Sequence, residues 1–126
     1  MTKTAILSPK LSPPVGPFSQ AVRYQGFIYL SGQVGQDPET GKLVPGGVAA
    51  EAEQVFKNAA AILEAAGKSF ADVLQVRVFL TNISDYAAVN AIYAQQFAQP
   101  YPARTAVAVA ALPLGASFEL DLVAAA

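Results

Sequence analysis

Neither cysteine nor histidine occurs anywhere in this chain of 126 residues. The first absence excludes a disulfide, a thiolate nucleophile and a cysteine-held zinc. The second excludes a Ser-His-Asp triad and the histidine/cysteine zinc site of nucleobase deaminases. Charge is scarce as well. Only 13% of the residues are charged and the net charge is −1, where an average globular domain carries about 25% charged residues. That field does not attract polyanions, and no basic stripe with interleaved aromatics marks a nucleic-acid surface. Nine acidic residues scattered singly do not form a carboxylate metal cage, so neither a metal nor a cofactor is expected. No apolar run nears twenty residues, and no charged segment leads into an apolar stretch at the start. Neither a membrane span nor a leader is therefore expected, and the sequence reads as a soluble, cytoplasmic protein. Any catalysis is left to Arg, Glu, Asp, Tyr, Ser, Asn, backbone groups and water, which restricts it to a substrate that is already reactive.

What is abundant is apolar: 53% of the residues are hydrophobic. The length fits one domain spanning 1–126, large enough to bury about two-thirds of its unfolded surface. Pro9, Pro13 and Pro14 mark an irregular arm, followed by a hairpin of Phe18–Tyr24 and Phe27–Val34 turning at Gln25-Gly26. DPETG and PGG make 35–47 a loop. Val48, Ala52, Val55, Phe56, Ala59, Ile62, Leu63 and Ala66 fall on one helical face, and Gly67 stops that helix. Ala71–Thr81 alternates as a strand. Ser84 is placed to cap a second helix from Asp85 to about Phe97. Two strands close the chain. The order β-β-α-β-α-β-β predicts an α+β fold, one sheet with both helices on one face. The other face, with Phe79, Val123 and small alanines, is too apolar to leave wet, which predicts self-association.

The last 25 residues carry the chemistry. Arg104, one of three arginines, precedes an almost wholly apolar strand. Ala106, Ala108 and Ala110 share its side of that strand and leave space around it. A guanidinium there either forms a surface ion pair or grips a carboxylate bidentately. Glu119 and Asp121 alternate with Phe118, Leu120 and Leu122, so the two carboxylates share a face. Glu119 is either a structural partner of Arg77 or Arg104, or a general base or water-positioning group; Asp121 reads as structural or interfacial. Asn90 lies on the inward stripe of the second helix with Tyr86 and Tyr93, fixing a loop or touching a ligand. Ser31-Gly32 interrupts a strand, as a bulge or an exposed backbone does. The tyrosines are read as core or interface aromatics.

GPFSQAV at 16–22, IYLSGQVGQDPETGKLV at 28–44, VNAIYAQQF at 89–97 and PARTAVAVAALPLGASFELDLVA at 102–124 occur in one collinear order. On these segments the chain resembles the RidA (YjgF) family of reactive-intermediate deaminases over nearly its full length. The resemblance implies a chorismate-mutase-like fold assembled as a homotrimer with clefts between subunits. It also implies hydrolysis of 2-iminobutanoate and 2-iminopropanoate to 2-oxo acids and ammonium. Carried onto this sequence, Arg104 holds the substrate carboxylate and Glu119 positions water. Phe18, Ser31, Gly32, Asn90 and Ala106 line the pocket. Phe18 stands where many members have tyrosine, and Ala106 where some have cysteine. A non-catalytic trimer that binds 2-oxo acids is the alternative, and a ribonuclease or translation inhibitor a more distant one.

Overall fold

The computed structural model describes residues 2–126. Six strands and two helices follow one another as β1 (Thr4–Ile6), β2 (Ala21–Tyr24), β3 (Phe27–Val34), α1 (Val48–Ala65), β4 (Val73–Leu80), α2 (Tyr86–Gln96), β5 (Ala103–Ala108) and β6 (Phe118–Ala125). The strands form one sheet in the order β1-β2-β3-β6-β4-β5. Every pairing is antiparallel except that of β4 with β5. A parallel neighbour needs a long crossover, and α2 supplies it.

Strict alternation sets the two faces. In β6, Phe118, Leu120, Leu122 and Ala124 are buried, while the residues between them stay partly exposed. With Ile28, Leu30, Val76, Val78 and Leu80 they form the floor of the core. Both helices lie on this side, as expected: α1 contributes Val55, Phe56, Ala59, Ile62 and Leu63, and α2 contributes Val89, Ile92 and Tyr93. Phe56 is the centre of the packing. Its ring meets those of Phe70, Tyr93, Phe97 and Phe118 at centroid distances of 6.0–6.2 Å. Gly67, at φ 74°, ends α1 as predicted. The Gly67 and Lys68 amides donate back to the carbonyls of Glu64 and Leu63 at 2.9 and 2.8 Å, the pairing of a Schellman cap.

α1 presses closely on the end of β3. A Cβ added at Gly35 would lie 2.8 Å from Glu51 Cα and 2.9 Å from its carbonyl oxygen. Those are backbone atoms and cannot rotate away. Gly35→Ala is therefore expected to cost about 1–3 kcal/mol, read as a lower midpoint in urea unfolding with an unchanged slope. Glu51 itself is buried, and its Oε1 accepts a hydrogen bond from the Ser117 amide at 2.7 Å. α1 thereby fixes the turn that feeds β6.

Three expectations need correction. The arm is not wholly irregular: Thr4–Ile6 pairs with Ala21–Arg23 as an edge strand, too short to show alternation in the sequence. Strand β4 starts at Val73, because Ser69 and Asp72 close a capping box around a short helical turn at Phe70–Asp72. Ser84 does not cap α2. Asn82 accepts from the Ser84 amide at 3.0 Å and caps a turn that runs straight into the helix.

The open face of the sheet carries Phe27, Tyr29, Phe79, Val107 and Val123 around a bidentate pair, Arg77 to Asp121 at 2.9 and 2.6 Å. Phe79 and Val123 lie there as expected. Ala103 and Ala125 share that face through their pairing with Gln75 and Phe27, while Ala106 and Ala108 pair with Val78 and Leu80 on the helix side. Among the described residues no helix is long and apolar enough to cross a membrane.

Candidate active site

Strand β3 breaks register between Leu30 and Gln33, so Ser31-Gly32 is the bulge its glycine signalled. Ser31 faces the arm. Its hydroxyl donates to the Ser19 carbonyl at 2.6 Å, and its amide donates to the Gln20 carbonyl at 3.0 Å. Gln20 is buried and accepts from the Ser8 amide at 2.6 Å. These bonds tie residues 8–20 against the bulge, and Phe18 lines the same cavity as Gly32. Gly32 is exposed, and a methyl there would fall on the Glu119 carboxylate, whose carbon lies 3.1 Å from the Cβ position. Bare backbone and carboxylate thus share one wall. They line a cavity of about 370 Å³ whose lining also includes Val15, Phe18 and Leu114.

Glu119 has no hydrogen-bond or ion-pair partner among the described residues. Both structural partners weighed for it are engaged elsewhere: Arg77 with Asp121, and Arg104 with tyrosines. Burial pushes the Glu119 carboxyl above its ordinary value, and the nearby charge of Asp121 raises it further. An acid with a raised folded-state value stabilises the fold fully only below its unfolded value, and that contribution is lost as pH rises through the folded value. Glu119→Gln is therefore expected to melt higher than the parent at pH 7. The gap should close below about pH 4, near the ordinary glutamate value. Paired thermal melts across pH test this.

Arg104 belongs to a second cluster. Its Nη2 donates to the Tyr86 hydroxyl oxygen at 2.8 Å. Its guanidinium carbon lies 4.7 Å from the Tyr93 ring centre and 5.4 Å from that of Tyr86. A cation over two ring faces is held without neutralising its charge. Asn90 stands one turn beyond Tyr86. Hydrogen bonding from Asn90, then the charge of Arg104, lowers the Tyr86 phenol. Burial raises the Tyr93 phenol against the opposing pull of Arg104, and the Tyr93 hydroxyl is buried with no hydrogen-bond partner. Ala106 follows Arg104 on the same side of β5, half-buried against the core.

The two clusters do not meet within one copy of the chain. Arg104 pairs with Val76 on the helix side, whereas Glu119 pairs with Phe79 on the open side. Two strand spacings, about 10 Å, separate them across the sheet, and three residues, about 10 Å, separate them along it. Phe18, Gly32 and Glu119 share the cavity. Arg104, Asn90 and Ala106 sit on the other face. Sequence reasoning missed the engagement of Tyr86 and Tyr93 with Arg104. Their helical spacing with Asn90 was visible, but nothing local showed that β5 pairs in parallel with β4 and so runs beneath α2. It also missed Leu114, a non-glycine residue at φ 61° on the cavity wall.

Among the described residues no group of three or more carboxylates is placed to hold a metal ion. What the arrangement offers is a caged cation on one side and a desolvated base beside exposed backbone on the other.

The comparisons with known proteins agree with one another. A human protein named 2-iminobutanoate/2-iminopropanoate deaminase is 47% identical over 124 residues, covering 98% of this chain and 90% of its own length. The crystal structure of RidA from the Antarctic bacterium Psychrobacter superposes with a TM-score of 0.92 at 46% identity, covering 98% of this chain and 99% of that one. Escherichia coli TdcF, solved with bound serine, does so with a TM-score of 0.90 at 32% identity, covering 98% of each chain. Residues 9–126 match the profile described as endoribonuclease L-PSP, and the chain belongs to that family, the RidA (YjgF) family its sequence resembles.

Proposed function

We propose that this chain hydrolyses 2-imino acids, taking 2-iminobutanoate and 2-iminopropanoate to the 2-oxo acids and ammonium. The reading is carried by Glu119, an unpartnered and desolvated carboxylate facing the exposed backbone of Gly32 inside a cavity. The name borne by mammalian relatives at 45–47% identity supports the substrate class.

The chemistry suits a chain without histidine, thiol or metal-binding cluster. A protonated C=N carbon is electrophilic by itself, so the protein need supply only orientation, charge matching and one activated water. Arg104 grips the substrate carboxylate. Glu119 takes a proton from water as the oxygen bonds to C2, and the C=N π electrons move onto nitrogen. Protonated Glu119 returns its proton to the carbinolamine nitrogen, C=O re-forms as the C–N bond breaks, and the hydroxyl proton passes by way of Glu119 to the departing ammonia, which leaves as ammonium. A base with a raised value is better matched to a proton transfer near neutral pH than an ordinary glutamate.

Because Arg104 and Glu119 lie on opposite faces, one substrate reaches both only where two copies meet. The reading therefore includes assembly through the open face, as a trimer with each site shared between neighbours. The exposed Phe27, Tyr29 and Val107 supply apolar surface for that contact.

The test generates 2-iminobutanoate in situ and measures 2-oxobutanoate release against semicarbazide trapping of the imine. Wild-type protein is expected to suppress trapping. Failure to do so with any imine would sink the deaminase reading. One observation favours a second reading, binding without turnover: TdcF is described with bound serine. Under it, Glu119→Gln and the parent behave alike.

A further inference from the structure

The hydroxyl of Tyr86 has one function unaccounted for. Its oxygen accepts from Arg104 Nη2 at 2.8 Å. A phenol oxygen that accepts a hydrogen bond still carries its own proton. Among the described residues that proton has no acceptor. Tyr86 is exposed, at 40% of its surface. It therefore presents an O–H to solvent immediately beside a guanidinium that has no carboxylate partner of its own.

We propose that Tyr86 is a second carboxylate-binding group, whose O–H donates to one oxygen of the ligand carboxylate while Arg104 holds the other. Three observations converge on this. The Arg104–Tyr86 bond fixes the two donors next to each other before any ligand arrives, so little ordering is left for binding to accomplish. Tyr86 is exposed, so its O–H is open to a ligand. The lowered phenol value, set by Asn90 and Arg104, makes this O–H a stronger donor than a free tyrosine. Asn90 is then a positioning residue that acts through Tyr86, which accounts for an amide sitting one helical turn from it. The charged group beside the phenol is Arg104 from β5, whose guanidinium also lies over Tyr93 of α2. The site takes small 2-oxo or 2-imino monocarboxylates. The inference rests on the reading above for the ligand class, but not for turnover.

The test is Tyr86→Phe, which keeps the ring stacked on Arg104 and removes only the hydroxyl. Calorimetry with 2-oxobutanoate and steady-state imine hydrolysis are run on both proteins. Losing a hydrogen bond to a charged group is expected to raise Kd and KM about tenfold or more, with kcat changed less than about threefold. Wild-type affinity should also fall at alkaline pH as the phenol ionises beside the bound carboxylate, an effect Tyr86→Phe should lack. Asn90→Ala should give a smaller rise in Kd, and none when placed on Tyr86→Phe. Kd unchanged within twofold, or a fall in kcat with Kd and KM intact, would overturn the assignment. So would failure of the wild-type protein to bind 2-oxobutanoate. If that ligand binds but no imine is hydrolysed, the deaminase reading fails, and the Kd comparison alone decides on Tyr86.

Discussion

Co-expressing two dead variants should revive the enzyme. Under the proposed function, Arg104→Ala removes the carboxylate anchor, and Glu119→Gln removes the base. Each homo-oligomer is expected to lose at least about 10²-fold in imine turnover, the scale on which single preorganised charges act. Neither residue is itself part of the buried core, so both proteins should keep their fold and assembly. In one copy the two side chains lie on opposite faces of the sheet. If every site draws Arg104 from one copy and Glu119 from its neighbour, random mixing leaves both native groups in about a quarter of the sites. Activity of the mixed assembly should return to about that fraction of wild type. Recovery indistinguishable from the two parents would mean that each copy builds its own site, and the shared cleft would be wrong.

A single methyl at residue 32 should do nearly as much damage with little loss of stability. Gly32 has no positive φ, so alanine meets no backbone strain there. What it meets is the Glu119 carboxylate, the end of a flexible side chain that moves aside at small energetic cost. Unfolding of Gly32→Ala should match the parent within about 0.5 kcal/mol. Catalysis should not, because a displacement near 1 Å at a reacting group costs on the order of 10²-fold. The backbone exposed for the imine is also covered. The split between an unchanged melt and a collapsed kcat/KM is the measurement. If turnover survives, Glu119 is not the base in the position the fold gives it.

Much of the fold could be read directly because periodicity reports burial. The face of α1 from Val48 to Ala66, the Gly67 stop and the alternation of β4 and β6 all depend on local patterns. The structure repeats them nearly residue for residue. What stayed hidden depends on pairing between distant segments. Three residues at Thr4–Ile6 are too few to reveal a strand, and they become one only because β2 offers an edge. The side taken by Arg104 could not be read either. Alternation groups it with Ala106 and Ala108, but only the parallel register with Val76 says which face that group joins. That register sets Ala106 and Ala108 beside Val78 and Leu80 on the helix side. The resemblance picked out the individual residues of the candidate site. It said nothing of the tyrosines that hold Arg104, nor of which carboxylate would be left free once Arg77 had chosen Asp121.

Position within the sheet adds one more consequence. β5 is the outermost strand on its side and has only β4 as a neighbour, so the residue offered to the ligand rides on the part of the sheet that frays at least energetic expense. Under the proposed function, a small acid captured there also clamps the border of the molecule, and the grip of Arg104 tightens the periphery on which it is mounted.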